Sequence, residues 1–224
     1  MYERENLKII TLFLVPGSTV LDIGANIGLM ALPMLYSEPT VKVISIEASP
    51  NSLNYLTKTH SKSPYQNRWQ IVSKAVGDEP GWVDFYLSES ANGALDGLRN
   101  TERAVIVDKV KVECTTIDTI WQEFDQPKVS FIKIDIEGAD LLALKGGLAC
   151  IKQTRPVILM EWNQMNIKPF GFSNKDLLDF VNELRYELYY LPGPAKISSL
   201  VELNLRCKTH YTENFLLMPA EKED

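Results

Sequence analysis

Val20-Leu-Asp-Ile-Gly-Ala-Asn-Ile-Gly28 is the segment from which the fold class is most readily inferred. It begins inside an apolar run of strand length, residues 19–23, and ends where a helix is predicted to start, at residues 28–36. A chain that turns this tightly favours glycine, because a side chain would obstruct both the turn and any ligand close to the backbone. The stretch therefore predicts a βα unit with a ligand site at its turn.

Strand-length apolar runs alternate with amphipathic helical stretches along the rest of the chain, which is typical of repeated βα units and a mainly parallel sheet. Further strands are predicted at residues 41–47, 69–76, 129–136, 156–162, 187–191 and 214–218, with helices from residue 50, at 139–151 and at 175–184. Two segments with period-two alternation, residues 82–87 and 109–114, predict a small antiparallel extension. The fold class is therefore α/β, doubly wound, with helices on both faces of the sheet.

The composition argues against several classes of partner and site. Of the 224 residues 29 are acidic and 23 basic, which gives a net charge of −6 without a lysine or arginine cluster. No nucleic-acid partner is expected, because phosphate binding relies on clustered basic residues. The three cysteines are far apart and lack C-x-x-C spacing, which predicts reduced thiols in a cytoplasmic protein rather than disulfides or a zinc site. No apolar run approaches the roughly 18 residues of a membrane-spanning helix.

The glycine turn favours one adenosine cofactor over another. The dinucleotide fingerprint G-x-G-x-x-G is not met, because Asn26 stands where the second glycine would be. Asp22, two positions before Gly24, suits the cationic amino acid end of S-adenosylmethionine, although an Asx residue that merely caps the turn is the alternative. Glu47 follows Gly24 by 23 positions at the end of the second predicted strand, where a carboxylate can accept hydrogen bonds from both ribose hydroxyls.

Beyond the turn, six segments together resemble the FkbM family of S-adenosylmethionine-dependent methyltransferases. These segments are VLDIGANIG at 20–28, IEASPNSLNYL at 46–56, KAVGDEPGWVDFY at 74–86, TIDTI at 116–120, KIDIEGADLLALKGG at 133–147 and RPVILMEWN at 155–163. The resemblance implies a Rossmann-like class I methyltransferase fold with a seven-stranded sheet whose last strand is antiparallel. It also implies O-methylation of a small hydroxylated acceptor of the sugar or natural-product type.

The family's cofactor-binding residues carry over by motif match. The resemblance implies that Asp22, Gly24, Asn26 and Gly28 line the methionine end of the cofactor and that Glu47 binds its ribose. It further implies that Ala48, Lys74 and Ala75 flank the adenine.

No internal repeat or linker divides the chain, so a single domain over residues 1–224 is predicted. It consists of a leading helix at 1–18, a cofactor-binding core at 19–163, and a C-terminal helix with closing strands at 164–224. Residues 88–108 contain Asn92-Gly93 and Asp96-Gly97 and show little periodicity, which predicts a loop or lid.

Charged residues at the end of the strand predicted at 129–136 are the candidate catalytic groups. In a strand Lys133, Asp135 and Glu137 would share one face, with the two acids beside the cofactor crevice. Methyl transfer to a hydroxyl releases a proton, which a nearby carboxylate can take. Asp135 is the first candidate for this role and Glu137 the second; the alternative is a Lys133–carboxylate pair that only orders the strand end.

A metal site and two other functional classes also have to be weighed. Asp135, Glu161 and Asn163 could together hold Mg²⁺, but a metal-free site is preferred because strand-end Glu and Asn residues more often bond to loops. A hydrolase is disfavoured because the chain has no G-x-S-x-G elbow. The alternative to a methyltransferase is a catalytically silent Rossmann-like module that binds a nucleoside or a protein partner.

Overall fold

The computed structural model describes residues 2–90, 92–209 and 213–221. Its strands are β1 (Thr19–Ile23), β2 (Lys42–Ile46), β3 (Trp69–Val72), β4 (Ala75–Val76), β5 (Gly81–Ser88), β6 (Ile106–Thr115), β7 (Val129–Ile134), β8 (Val157–Glu161), β9 (Tyr186–Tyr190), β10 (Ala195–Ile197) and β11 (Asn214–Pro219). Its α-helices are α1 (Tyr2–Leu12), α2 (Ala31–Ser37), α3 (Pro50–Lys62), α4 (Ile117–Glu123), α5 (Asp140–Lys145), α6 (Leu148–Thr154), α7 (Gln164–Ile167), α8 (Asn174–Glu183) and α9 (Leu200–Thr209). Short 3₁₀ turns occur at Gln66–Arg68 and Lys168–Phe170.

The main sheet has the strand order β10-β9-β11-β8-β7-β1-β2-β3. Strands β3, β2, β1, β7 and β8 are parallel, whereas β11 runs antiparallel to both β8 and β9. The order reverses between β1 and β7, and in open α/β sheets ligands bind at such a switch point beside the carboxyl ends of the strands. The predicted α/β class, the mainly parallel sheet and the small antiparallel extension are thereby confirmed, the last as the antiparallel pair β5–β6 in the sheet β4-β6-β5.

The number of strands in the main sheet corrects the prediction of seven. An eighth strand, β10, pairs with β9 in an antiparallel hairpin, with Ala195 opposite Tyr190. It lies in the long connection between β9 and β11, which also contains α9. Three residues are too short a run to show a sequence period, so the pattern does not reveal this strand.

Two predicted elements are each divided in the structure. The strand predicted at 69–76 ends at Val72, and Ala75 pairs with Cys114 in the small sheet instead of extending β3. The helix predicted at 139–151 becomes α5 and α6, because the chain turns at Gly146 and Gly147. A Cβ atom on Gly146 would lie 2.2 Å from the carbonyl oxygen of Gly77, so that close approach requires glycine.

Apolar residues fill both faces of the sheet, as a doubly wound fold requires. Helices α4, α5, α6 and α8 pack on one face around residues such as Ile134 and Trp162. The other face carries α2 and α3, with Met34, Leu56 and Trp69 in its core. Among the described residues, no helix has the length and apolar character needed to cross a membrane.

Candidate active site

A cavity of about 500 Å³ opens at the carboxyl ends of β1, β2, β7 and β8. This volume lies within the range of about 300–1,000 Å³ that is usual for sites of small molecules and cofactors. Its walls come from the glycine turn after β1, the end of β2, the turn after β7 and the segment that was predicted as a lid, residues 88–108. We call residues 88–108 the lid below.

The glycine turn is held close to the neighbouring strand. Gly24 has φ +74°, and a Cβ atom there would lie 1.9 Å from the carbonyl oxygen of Asp135, so no other residue fits. Asn26 also lies in the left-handed region, with φ +49°. Gly28 has φ +86° and packs against Leu56 and Trp69, which places it behind the cavity wall rather than in it.

Asp22 is fully buried behind the glycine turn. Its Oδ2 accepts a hydrogen bond from Ser45 Oγ at 3.3 Å, and within the described part of the chain its Oδ1 has no hydrogen-bond partner. Burial raises the pKa of this carboxyl, although Lys133 Nζ at 3.9 Å acts in the opposite direction. The described residues include no backbone N–H of the turn that donates to Asp22, so the turn-capping alternative finds no support here.

Glu47 stands in the cavity wall just after β2. Its Oε2 accepts from the backbone N–H of Asn26 at 2.8 Å, and its Oε1 accepts from that of Ser49 at 2.7 Å. Burial raises the pKa of this carboxyl against the effect of these two hydrogen bonds. The two donors fix the orientation of the carboxylate, and each oxygen keeps a lone pair for a further donor.

The three residues expected beside the adenine also lie in the wall. Ala48 follows Glu47 directly, and Ala75 begins β4. Lys74 lines the same region, with its Nζ 2.8 Å from Oε1 of Glu113. The structure therefore places all three residues in the lining of the same cavity.

Lys133 links β7 to the glycine turn. Its Nζ donates to the carbonyl oxygen of Gly24 at 2.8 Å and lies 3.8 Å from Oδ2 of Asp135. Burial opposes the charge of this ammonium, but the carboxylates of Asp135 and Asp22 outweigh it and raise the pKa. Asp135 directly follows the end of β7 at Ile134. Its side chain is 44% exposed and lines the cavity together with Lys133 and Glu137.

Glu137 lies in the same turn, with φ +54°. Its Oε2 accepts from Arg103 Nη1 of the lid at 2.9 Å and from Asn166 Nδ2 at 2.9 Å. Burial raises the pKa of Glu137 to about 7, an effect that Arg103 only partly offsets. Asn166 Nδ2 also donates to Oε2 of Glu161 at 2.9 Å, and burial together with the charge of Asp135 raises the pKa of Glu161.

The oxygens of Asp135, Glu137 and Glu161 all come within 4.8 Å of one another, so these three carboxylates could contact one cation. Asn163, which was expected in the possible Mg²⁺ set, has another use. Its Oδ1 caps α7 by accepting from the backbone N–H groups of Met165 and Asn166, and its Nδ2 donates to Glu213. Glu137 thus stands where the sequence suggested Asn163.

Sequence reasoning did not identify four polar residues that complete the site: Asn92, Asp96, Arg103 and Asn166. The Asn-Gly and Asp-Gly pairs in the lid were read only as turn signals. Nothing in the local pattern marks Arg103 or Asn166, because each meets Glu137 only through the tertiary fold.

Comparison with known proteins agrees with this fold. The model of the methyltransferase FkbM domain matches residues 22–188, well over half of the chain. The 2-O-methyltransferase NoeI of Sinorhizobium fredii (strain NBRC 101917 / NGR234) is 22% identical over 186 residues, which cover 78% of this chain and 75% of that protein.

Two solved structures share the fold. The methyltransferase FkbM from Methylobacillus flagellatus KT has a TM-score of 0.56 at 17% identity, covering 90% of this chain but only 43% of that one. The precorrin-6y C5,15-methyltransferase from Geobacter metallireducens GS-15 has a TM-score of 0.50 at 12% identity, covering 99% and 88%. From the match of the domain model over the strands and turns that build the cavity, the chain belongs to the FkbM methyltransferase family.

Proposed function

We propose that this chain transfers a methyl group from S-adenosylmethionine to a hydroxyl of a small acceptor, as a single domain over residues 1–224. The observation that carries the proposal is one cavity in which the glycine turn and Glu47 face Glu137, whose pKa is raised to about 7. A carboxylate proposed to bind ribose and a carboxyl suited to accept a proton at neutral pH therefore line the same cavity.

The residues present fit S-adenosylmethionine. Oδ1 of Asp22 has no hydrogen-bond partner among the described residues, and this buried acceptor lies directly behind the turn that would receive the cationic amino end, although Asp22 itself does not line the cavity. Glu47 is fixed by two backbone donors and keeps lone pairs for the ribose hydroxyls. When bound, the cofactor supplies an activated methyl group on a sulfonium centre, and the protein aligns that group with the acceptor.

The turn after β7 supplies the proton acceptor. Sequence reasoning placed Asp135 first and Glu137 second, but burial and two fixed donors favour Glu137. In this proposal Glu137 takes the proton of the acceptor hydroxyl as the new O–C bond forms. Asp135, with its more exposed side chain, contacts the acceptor at the cavity mouth.

The proposed acceptor is a small hydroxylated molecule of the sugar or natural-product type. Carboxylates at the acceptor end of the cavity, among them Asp135, Glu137 and Glu161, can accept hydrogen bonds from hydroxyls and disfavour phosphate groups. The relative NoeI is named a 2-O-methyltransferase, which supports oxygen as the methylated atom. We propose a metal-free reaction, because N–H groups already donate to the carboxylate oxygens. Arg103 and Asn166 donate to Oε2 of Glu137, and Asn166 also donates to Oε2 of Glu161.

A transfer assay tests this function. Purified protein is incubated with S-adenosylmethionine labelled on the methyl group and a panel of sugars and hydroxylated aromatic compounds, with and without EDTA. We expect labelled methyl ether and S-adenosylhomocysteine in equal amounts, with EDTA making no difference. Cofactor binding without transfer to any hydroxyl would favour the silent module, and transfer only to amines would replace the O-methylation proposal.

A further inference from the structure

One buried carboxylate of the lid, that of Asp96, is neither a predicted cofactor ligand nor a candidate base. Asp96 is 7% exposed and lines the cavity. Among the described residues no lysine or arginine forms an ion pair with it, and four uncharged donors surround it instead. These donors are Ser88 N at 2.7 Å and Ser88 Oγ at 2.8 Å on Oδ1, and Ser49 Oγ at 2.6 Å and Asn51 Nδ2 at 3.4 Å on Oδ2.

The contact with Ser49 connects Asp96 to the predicted ribose-binding residue. Ser49 gives its hydroxyl proton to Asp96, so the lone pairs of Oγ remain free to cap α3 by accepting from the backbone N–H groups of Asn51 and Ser52. The backbone N–H of Ser49 donates in turn to Oε1 of Glu47 at 2.7 Å. Asp96 thereby fixes the residue that orients Glu47.

A second contact holds the same part of the lid on the glycine turn. The carbonyl oxygen of Asn92 accepts from Nδ2 of Asn26 at 2.9 Å and from Oγ of Ser52 at 2.8 Å. A Cβ atom on Gly93, which has φ +65°, would lie 2.7 Å from Oδ2 of Asp96, so the lid is packed here as closely as its backbone allows. The next residues, Ala94 and Leu95, form part of the cavity wall.

We propose that Asp96 is a positioning residue for the cofactor. It holds the lid against the start of α3 and, through Ser49, keeps Glu47 in the orientation that receives the ribose hydroxyls. This inference rests on the proposed function, since it assumes that the cavity binds S-adenosylmethionine.

The variant Asp96→Asn separates this role from simple filling of space. The amide keeps the volume of the carboxylate but has only one acceptor, its Oδ1. The backbone N–H of Ser88, whose position is fixed, must donate to that oxygen. The NH₂ group must then face Ser49, whose hydroxyl has to accept from it and loses its present orientation toward α3. Asp96→Asn therefore breaks the link to Glu47 while the lid keeps its packing.

The experiment measures S-adenosylhomocysteine binding by calorimetry and its dissociation rate by stopped flow, for the wild type, Asp96→Asn, Ser49→Ala and the double variant. Asp108→Asn is the matched control, because Asp108 is an exposed acid at the end of the same segment and does not line the cavity. We expect Asp96→Asn to raise Kd by about tenfold to a hundredfold, mainly through faster dissociation, at unchanged stoichiometry. Ser49→Ala should add little in the Asp96→Asn background, because both act on one link.

The possible results distinguish a failure of the role of Asp96 from a failure of the proposed methyltransferase function. A merely structural role would lower the melting temperature and the fraction of protein that binds, leaving the Kd of that fraction unchanged, and would overturn the inference. Equal affinity of the wild type and Asp96→Asn would also overturn it while leaving the proposed function intact. If Asp96→Asn does not fold, wild-type affinity in Ser49→Ala overturns the inference. No binding by folded wild-type protein would overturn both the inference and the proposed function.

Discussion

At the scale of single residues, the pKa of Glu137 is set by two opposing effects, burial and hydrogen bonds from N–H donors. Burial raises its pKa to about 7, while Arg103 and Asn166 hold one of its oxygens with N–H donors. A carboxyl with a pKa near the working pH is a suitable general base, because it is available in the ionised form and still binds a proton well. The environment of Glu137, rather than its residue type, makes it suited to this role.

If Glu137 is the base, its raised pKa should determine how turnover depends on pH. The base must be ionised, so the wild-type kcat should rise as pH increases through about 7 and level off above it. Glu137→Gln should lower kcat by about 10²–10⁴-fold and lose this rise, with S-adenosylhomocysteine affinity retained. Steady-state kinetics between pH 5.5 and pH 9 measure both effects, and Glu79→Gln, at an exposed glutamate, is the control. An unchanged pH profile in Glu137→Gln would show that another group takes the proton.

At the scale of elements, the lid is the segment that connects the two ends of the cavity. Its first part contacts Asn26 and Ser49 beside the predicted cofactor site, and its later part brings Arg103 to Glu137. A ligand in the cavity would contact the wall that the lid forms and would oppose its opening.

Hydrogen exchange should therefore detect the cofactor in the lid. Amide exchange over residues 92–98 is expected to slow by up to about a hundredfold when S-adenosylhomocysteine is present at 100 times its Kd, if these amides exchange by lid opening. The last turn of α8, which packs on β9 and α9 away from the cavity, should show no change at amides that exchange by fraying. Equal slowing in both regions, or none in the lid, would contradict a lid that closes on the ligand.

The elements also show where sequence reasoning succeeds. β1 was predicted at its observed bounds, because a buried parallel strand is a short apolar run that a glycine turn ends sharply. The start of α3 is also predicted correctly, since Ser49 as N-cap and Pro50 at the first helical position form a local signal. The division between β3 and β4 could not be predicted, because period and polarity do not tell which sheet a strand joins.

The site divides in the same way. The sequence indicates Asp22 and Glu47 through their spacing to the glycine turn; in the structure Glu47 lines the cavity, whereas Asp22 is buried behind the turn. Asn166 and Arg103 both contact Glu137 but are 29 and 34 positions from it in the sequence. The residues next to Asn166 and Arg103 form no pattern that predicts either contact. Contacts of this kind depend on the tertiary fold, so only the structure reveals them.

At the scale of the whole molecule, buried acids make stability depend on pH. Asp140 is fully buried, its Oδ1 has no partner in the described part of the chain, and burial with the charge of Asp135 raises its pKa from 3.8 to about 8. The folded state therefore holds this proton more tightly than the unfolded state. The resulting stability is complete below about pH 4 and is lost as pH rises through about 8. The pKa values of Glu137, Glu161, Asp22 and Glu47 are raised as well, so these acids act in the same direction.

Asp140→Asn should remove part of this pH dependence. The amide stays neutral at every pH, and its oxygen can still accept from the backbone N–H of Gly138 as Asp140 does. Scanning calorimetry should give a higher melting temperature for the variant than for the wild type at pH 9 and a smaller difference at pH 5. A variant that is less stable than the wild type at pH 9 would show that Asp140 is ionised and stabilising in the folded protein.

Calorimetric titration measures whether the cavity binds S-adenosylmethionine. The wild type, Glu47→Ala and the exposed-site control Glu79→Ala are titrated with S-adenosylmethionine, S-adenosylhomocysteine and NAD. We predict that the wild type and the control bind both adenosyl sulfur compounds and not NAD, and that Glu47→Ala binds them far more weakly. Binding of NAD alone, or of none of the three by folded protein, would contradict the proposed cofactor.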